Sequence, residues 1–117
     1  KRMLASSCVL REYQFGVEAP IRLVRPDLQD NPQRIILQGA ADCLFAEDDG
    51  WILVDYKTDY VQRPEDLWQR YQIQLALYAA AIRKCTGKPV RECFLYSFHL
   101  NQAVQGELSW DPETLLD

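Results

Sequence analysis

The stretch Trp51-Ile-Leu-Val-Asp-Tyr-Lys-Thr-Asp59 decides the fold of this chain. Its apolar first half predicts a buried strand that runs directly into polar residues. Because side chains alternate across a strand, Leu53, Asp55 and Lys57 are expected on one face. A carboxylate and an ammonium would therefore lie side by side at the end of an apolar strand. Such a pair either holds a hard cation or is a solvated ion pair, and this stretch alone leaves both interpretations open.

A second strand is predicted just before this stretch, over residues 34–46. The segment Gly39-Ala-Ala-Asp42 lies in its middle, and its small residues allow another backbone, a helix or a ligand to approach closely. Asp42 itself sits in an apolar run, where an acid is unusual unless its charge is satisfied. The turn-forming residues 47–50 predict that this strand and the next form an antiparallel hairpin.

The predicted hairpin brings two acids together. Pairing outward from the turn places Asp42 opposite Asp55. Like charges directly opposed across two strands repel, and two close carboxylates raise one another's pKa. A divalent cation between them removes this penalty. The hairpin therefore favours a metal site over a solvated ion pair.

An amphipathic helix is predicted over residues 65–84, after a loop at residues 60–64. Three side chains with polar ends, Tyr71, Gln74 and Tyr78, fall on one flank of this helix because they are three or four residues apart. Taken singly, each tyrosine also fits a core helix whose hydroxyl groups reach water.

The remaining segments predict a mixed α/β (α+β) chain. They are a helix tail at residues 1–7, extended segments at 8–15 and 17–24, a loop at 26–32, a strand at 90–98 and an edge strand around 108–110.

Length and composition set further limits. The 117 residues suit one domain, and an apolar content of 48% with a charged content of 26% is ordinary for a globular protein. No apolar run reaches the roughly 20 residues of a membrane helix. The net charge of −4 argues against a general nucleic-acid-binding surface, so a role on DNA would need a local site.

The four cysteines, at positions 8, 43, 85 and 93, form no C-x-x-C pair. A zinc or iron–sulfur site is therefore not expected. Three of them lie in apolar runs and are predicted to be free, buried thiols, which fits a cytoplasmic location.

The motifs Gly39-Ala-Ala-Asp42, Asp55-Tyr-Lys57 and Gln74-x-x-x-Tyr78 occur in this order. Together they resemble the G-x-x-D, D-Y-K and Q-x-x-x-Y motifs of the RecB-like branch of the PD-(D/E)xK nuclease superfamily. Within that branch, the segments Leu10–Phe15 and Val54–Asp59 are most similar to the nuclease domains of AddA-type helicase–nuclease subunits. The resemblance covers roughly residues 8–98.

The resemblance implies a restriction-endonuclease-like fold, with a mixed central sheet and flanking helices. It also implies a metal site for Mg²⁺ or Mn²⁺. Asp42, Asp55 and the backbone carbonyl of Tyr56 would be its ligands.

The resemblance implies catalytic roles for five residues. Asp42 and Asp55 would act through the metal, and Lys57 would orient or activate the attacking water and stabilise charge on the phosphate. Gln74 and Tyr78 would brace the site or contact DNA.

The function implied is that of a Mg²⁺-dependent DNA exonuclease domain in a bacterial, ATP-dependent helicase–nuclease for double-strand-break repair and recombination. DNA and an AddB-like subunit would be the partners of the parent protein. In this branch a histidine from an upstream helix usually completes the metal site, whereas the single histidine here, His99, lies downstream of the motifs. We therefore expect residues 1–117 to be one partial nuclease domain without that N-terminal helix.

Two alternatives stay open. One is a non-catalytic domain of the same fold that binds DNA or a partner subunit, which the acidic net charge favours. The other is a Cas4-like or phage exonuclease, although the cysteine positions do not fit the iron–sulfur cluster that many of those proteins carry.

Overall fold

The computed structural model describes residues 6, 8–23, 25–112 and 114–116. Its regular elements are, in chain order, strand β1 (Val9–Pro20), strand β2 (Arg34–Glu47), strand β3 (Gly50–Lys57), helix α1 (Pro64–Thr86), strand β4 (Val90–Ser97) and strand β5 (Gln102–Val104). Two short 3-10 helices, Ile21–Leu23 and Pro26–Leu28, lie in the connection between β1 and β2.

The strands form one sheet in the order β1-β2-β3-β4-β5. β1, β2 and β3 pair in antiparallel fashion, β3 and β4 are parallel, and β5 returns antiparallel to β4. Parallel neighbours need a long crossover, which α1 supplies between β3 and β4. The carboxyl ends of β3 and β4 therefore meet at one edge of the sheet. The predicted α+β fold with a mixed central sheet is confirmed.

Helix α1 covers one face of the sheet and defines the main core. Leu53 of β3 packs on that face with Leu75 and Ile82 of α1, whereas Ile52 packs on the opposite face with Cys43. This is the alternation expected of a strand. Because Asp55 and Lys57 share the face of Leu53, their side chains point towards α1.

Both ends of α1 follow from its sequence. Pro64 occupies the first turn, where its missing N–H is not needed, and the acids Glu65 and Asp66 follow it. Gly87 ends the helix with φ 77°, and its N–H donates to the carbonyl of Arg83 at 2.8 Å. No helix in the described part of the chain has the length and apolar character needed to cross a membrane.

The strand predicted at 8–15 is confirmed, but it continues through 17–20 as a single strand, β1, because β2 is long enough to pair with it as far as Pro20. The extended segment predicted at 17–24 is wrong at residues 21–23, which form a 3-10 helix. The edge strand lies at Gln102–Val104 rather than at 108–110. Residues 108–110 instead cross α1, where Ser109 N–H donates to Gln72 Oε1 at 2.7 Å. The helix tail predicted at 1–7 falls almost entirely outside the described residues.

At Gly39 a side chain of α1 comes close to β2. A Cβ atom at this position would lie 2.8 Å from Phe15 Cζ and 3.1 Å from the ring of Tyr78. Both neighbours are aromatic rings packed edge to face, with centroids 5.0 Å apart. The small residues of the Gly39-Ala-Ala-Asp42 segment therefore admit a helix side chain, which is one of the three possibilities that the sequence left open.

We expect Gly39→Ala to lower the free energy of unfolding by about 1–2 kcal/mol, because the added methyl group must displace a packed ring. Urea denaturation of the chain measures this change. Gly16→Ala is the matched control, since its Cβ would meet no atom closer than 3.8 Å. Equal stabilities of the two variants would contradict the packing role of Gly39.

Candidate metal centre

Asp42 in β2 and Asp55 in β3 lie beside one another. The β2–β3 ladder pairs Cys43 with Val54, which places the two acids one step beyond that pair. Their carboxyl groups interact, and each shifts the pKa of the other. The predicted opposition of the two acids across the hairpin is confirmed, and their role as metal ligands stays a prediction.

Asp42 is half-buried and is held in place by the backbone of the neighbouring strand. Its Oδ2 accepts the Tyr56 N–H at 2.9 Å. The contact with Asp55 and this N–H both lower the pKa of Asp42. Its carboxyl group is therefore the more readily ionised of the two.

Asp55 is the buried member of the pair, with a relative exposure of 5%. Burial, followed by the contact with Asp42, raises its pKa to about 6, although Lys57 acts in the opposite direction. A carboxyl group whose pKa is raised by burial and by a neighbouring acid is typical of a functional site.

The Lys57 ammonium lies between the acids and helix α1. Its Nζ is 3.0 Å from Asp55 Oδ2 and donates to Gln74 Oε1 at 3.2 Å. It also lies over the ring of Tyr71, 3.9 Å from the ring centroid. The fold thus brings Gln74 to the two acids and the lysine, as expected of a residue on that flank of the helix.

Tyr78 lies farther along α1 and away from Lys57. Its ring packs on Phe15 and Gly39, and with Gln74 it lines a groove between α1 and the β1–β2 strands. The three residues with polar ends on one flank of the helix therefore have different contacts. Tyr71 and Gln74 contact the lysine, and Tyr78 contacts the sheet.

Sequence reasoning missed Asp59. Its carboxylate accepts the Tyr71 hydroxyl at 2.8 Å and pairs with Arg70 Nη1 at 2.7 Å. These contacts, with Arg70 first, lower the pKa of Asp59, and the carboxylate raises the pKa of Tyr71. The signal in the sequence was an acid two residues after Lys57, just before the predicted loop, to which the sequence analysis assigns no role.

The sheet is irregular next to Asp42. The β1–β2 ladder runs to the pair Arg11–Cys43 and resumes at Tyr13–Ala41, so it skips Glu12 and Asp42. Glu12 has φ 52°, the left-handed region that non-glycine residues rarely adopt in a strand. The register is the same on both sides of this gap, so no extra residue is inserted and the pairing is interrupted only at Glu12 and Asp42.

A family model of the PD-(D/E)XK nuclease superfamily matches residues 2–113. The chain belongs to this superfamily. It is 44% identical over 103 residues to an ATP-dependent helicase/nuclease subunit from Acetivibrio thermocellus, covering 84% of this chain and 8% of that protein. It is 38% identical over 108 residues to the protein of the same name from Clostridium botulinum strain 657, covering 90% of this chain and 8% of that protein.

The comparisons confirm the resemblance to the nuclease domains of AddA-type subunits. The chain spans about 8% of the length of these curated relatives. The matching segment is therefore only a small part of each of these relatives.

The donor set of this nuclease domain fits Mg²⁺. Within the described ranges, no three side chains of His, Cys, Asp or Glu come together as a metal cluster, so a cage made only of side chains is not formed there. Mg²⁺ keeps several waters and takes one or two carboxylates in addition to substrate phosphates. Two adjacent carboxyl groups that shift each other's pKa match that requirement, because a hard cation between them would offset their mutual repulsion.

The cysteines of the described residues are free thiols. Cys43 and Cys93 are buried, and burial raises the pKa of Cys93 to about 12, which makes it unreactive. Cys8 is half-buried and Cys85 is exposed.

His99 stacks on Tyr60, with ring centroids 4.1 Å apart.

Proposed function

We propose that the chain is a Mg²⁺-dependent DNA nuclease domain that hydrolyses phosphodiester bonds. The observation that carries this proposal is the meeting of Asp42 and Asp55 with the Lys57 ammonium 3.0 Å from Asp55 Oδ2. Membership of a nuclease superfamily supports the reaction class. The oxygen donors support Mg²⁺, and Mn²⁺ would bind the same ligands.

The proposed ligands are the carboxylates of Asp42 and Asp55 and the backbone carbonyl of Tyr56. The Tyr56 N–H points to Asp42. Because the N–H and C=O of one strand residue face the same neighbouring strand, its carbonyl also faces the side of Asp42. The last β2–β3 pair in the ladder is Cys43–Val54, so the strands have begun to separate at this point.

Hydrolysis of a phosphodiester develops negative charge on the phosphate oxygens. When bound, the cation supplies Lewis acidity and lowers the pKa of a bound water. Lys57 would stabilise the same developing charge, because its side chain is only 16% exposed and its ammonium acts at short range where water screens little. It would also orient the attacking water through one of its N–H groups.

Gln74 would brace this arrangement. Its Oε1 accepts from Lys57 Nζ and so limits where the ammonium can lie. Tyr78 would fix α1 against β2 through Gly39, or would contact DNA along the groove that it shares with Gln74.

We propose the wider role from the names of the relatives, which are ATP-dependent helicase/nuclease subunits. In a parent protein of that kind, the domain would degrade DNA during double-strand-break repair and recombination in the cytoplasm. An AddB-like subunit would be its protein partner. Residues 1–117 would form one partial nuclease domain.

Titration calorimetry with Mn²⁺ or Mg²⁺ tests the metal site directly. We expect Asp42→Asn to weaken binding at least roughly tenfold, because it removes a charged ligand. Asp49→Asn is the matched control, since Asp49 lies on the same hairpin but pairs at the surface with Arg91. Binding that is unchanged in Asp42→Asn would contradict the site.

The alternative function is a non-catalytic domain of the same fold that binds DNA or a partner subunit. The net charge of −4 and the presence of only two side-chain ligands in the described residues favour it. A full-length protein that binds no divalent cation at this domain would support this alternative over the nuclease.

A further inference from the structure

Among the described residues, the Lys57 ammonium contacts three groups, two of which accept a hydrogen bond. Asp55 Oδ2 lies 3.0 Å from Nζ and Gln74 Oε1 lies 3.2 Å from it. The third neighbour is the face of the Tyr71 ring, whose centroid is 3.9 Å from Nζ. An ammonium has three N–H donors, so this arrangement leaves one of them for a substrate or a water.

A lysine side chain has many rotamers, and holding its ammonium at one point costs conformational entropy. Asp55 alone cannot define that point, because the same carboxylate is a proposed metal ligand. The face of an aromatic ring attracts a cation without accepting a hydrogen bond. The Tyr71 ring can therefore hold the Lys57 ammonium while the N–H groups of the ammonium stay directed at other partners.

The Tyr71 ring is itself fixed. Its hydroxyl donates to Asp59, at 3.0 Å to Oδ1 and 2.8 Å to Oδ2. Asp59 in turn pairs with Arg70 Nη1 at 2.7 Å. Asp59 follows β3 and Arg70 lies on α1, so these contacts tie the end of the strand to the helix beside the lysine.

We propose that Tyr71, held by Asp59, is a positioning residue that fixes the Lys57 ammonium over its ring for contact with the scissile phosphate. This inference rests on the proposed nuclease function for its catalytic meaning. The geometry on which it depends, the ammonium above the ring, exists without metal or DNA and can be measured without either.

Nuclear magnetic resonance of the metal-free, 117-residue chain measures that geometry. The ring current of Tyr71 should shift the ε-methylene protons of Lys57 upfield. We expect Tyr71→Leu to remove this shift and Tyr71→Phe or Tyr71→Trp to keep it, since both retain an aromatic face. Lys57 resonances that are the same in wild type and Tyr71→Leu would overturn the proposal, whether or not the protein cuts DNA.

Single-turnover cleavage by the full-length protein measures the consequence. Tyr71→Leu should lower the cleavage rate about tenfold, with the affinity for DNA and for Mn²⁺ unchanged. Tyr71→Phe should keep most of the rate. Tyr96→Leu is the matched control, because Tyr96 is half-buried on β4 and its hydroxyl contacts Asn101 instead of the lysine.

Two results would overturn the positioning role. One is a wild-type cleavage rate in Tyr71→Leu. The other is an equal loss of rate in Tyr71→Phe and Tyr71→Leu, which would assign the effect to the hydroxyl group rather than to the ring. If Tyr71→Leu does not fold, Tyr71→Trp decides, because it must then cut at close to the wild-type rate. Persistence of cutting in Asp55→Ala would instead reject the proposed function itself.

Discussion

Replacing Asp55 by alanine is expected to abolish the DNA cleavage that we propose for the full-length protein and to leave the ATP-driven unwinding proposed for such a parent protein intact. The substitution removes the buried carboxylate that faces Asp42 and the ion-pair partner of Lys57. Loss of a Lewis acid is worth several kcal/mol of transition-state stabilisation, which corresponds to a rate loss of at least roughly 10³-fold. Cleavage of a labelled duplex and helicase activity, measured on the same preparation, test both parts.

Asp49→Ala provides the control for this experiment. Asp49 lies in the turn that joins β2 to β3, and its pKa is lowered by its surface pair with Arg91. It should cut DNA at the wild-type rate. Normal cleavage by Asp55→Ala would show that the two acids are not the catalytic centre, and loss of unwinding together with cleavage would indicate a general folding defect.

The second large effect concerns stability without metal. Because the pKa of Asp55 is raised from 3.8 to about 6, its contribution to folding is present below pH 3.8 and is lost as the pH rises through about 6. At pH 8 the ionised, buried carboxylate then costs about 2–3 kcal/mol. We expect Asp55→Asn to recover about 2 kcal/mol at pH 8, because the amide can donate to Asp42 without bearing a charge.

Urea denaturation in chelator, at pH 5 and pH 8, measures this effect. The wild type should be more stable at pH 5 than at pH 8, and Asp55→Asn should reduce that difference. The lowered pKa of Asp42 acts with the opposite sign, so the gain ends when the pH falls below about 3.8. A variant no more stable than wild type at pH 8 would contradict the raised pKa of Asp55.

Both predictions depend on the placement of Asp42 opposite Asp55, which could be predicted from the sequence. Counting residues from the turn was sufficient to place Asp42 opposite Asp55, because an antiparallel ladder advances by one residue on each strand. The helix could also be predicted, since its apolar residues recur with the helical period and Pro64 and Gly87 mark its ends. Local patterns of this kind need no knowledge of the rest of the fold.

The positions of the tyrosines could not be predicted in this way. Tyr71, Gln74 and Tyr78 share a flank of α1, but spacing along a helix does not state what the flank contacts. The tilt and depth of α1 on the sheet bring Tyr71 to Lys57 and Tyr78 to Gly39. Asp59 was missed for the same reason, because its partners Arg70 and Tyr71 lie on the following helix.

The extent of β1 and the place of the last strand also depended on partners. β1 continues to Pro20 because β2 offers backbone groups as far as Arg34. Residues 108–110 have the composition of a strand, yet Gln72 of α1 takes the hydrogen bonds of Ser109 instead. An extended segment joins a sheet only if an edge is within its reach, and composition does not contain that information.

The hairpin, the helix and the proximity of Asp42, Asp55 and Lys57 could all be predicted from the amino-acid sequence alone. The short-range periodicities of strands and helices are enough for those features. The tertiary structure alone decided which ring lies under the Lys57 ammonium and which acid holds that ring. Such contacts join residues on different elements, and only the packing of α1 against the sheet sets the distances between them.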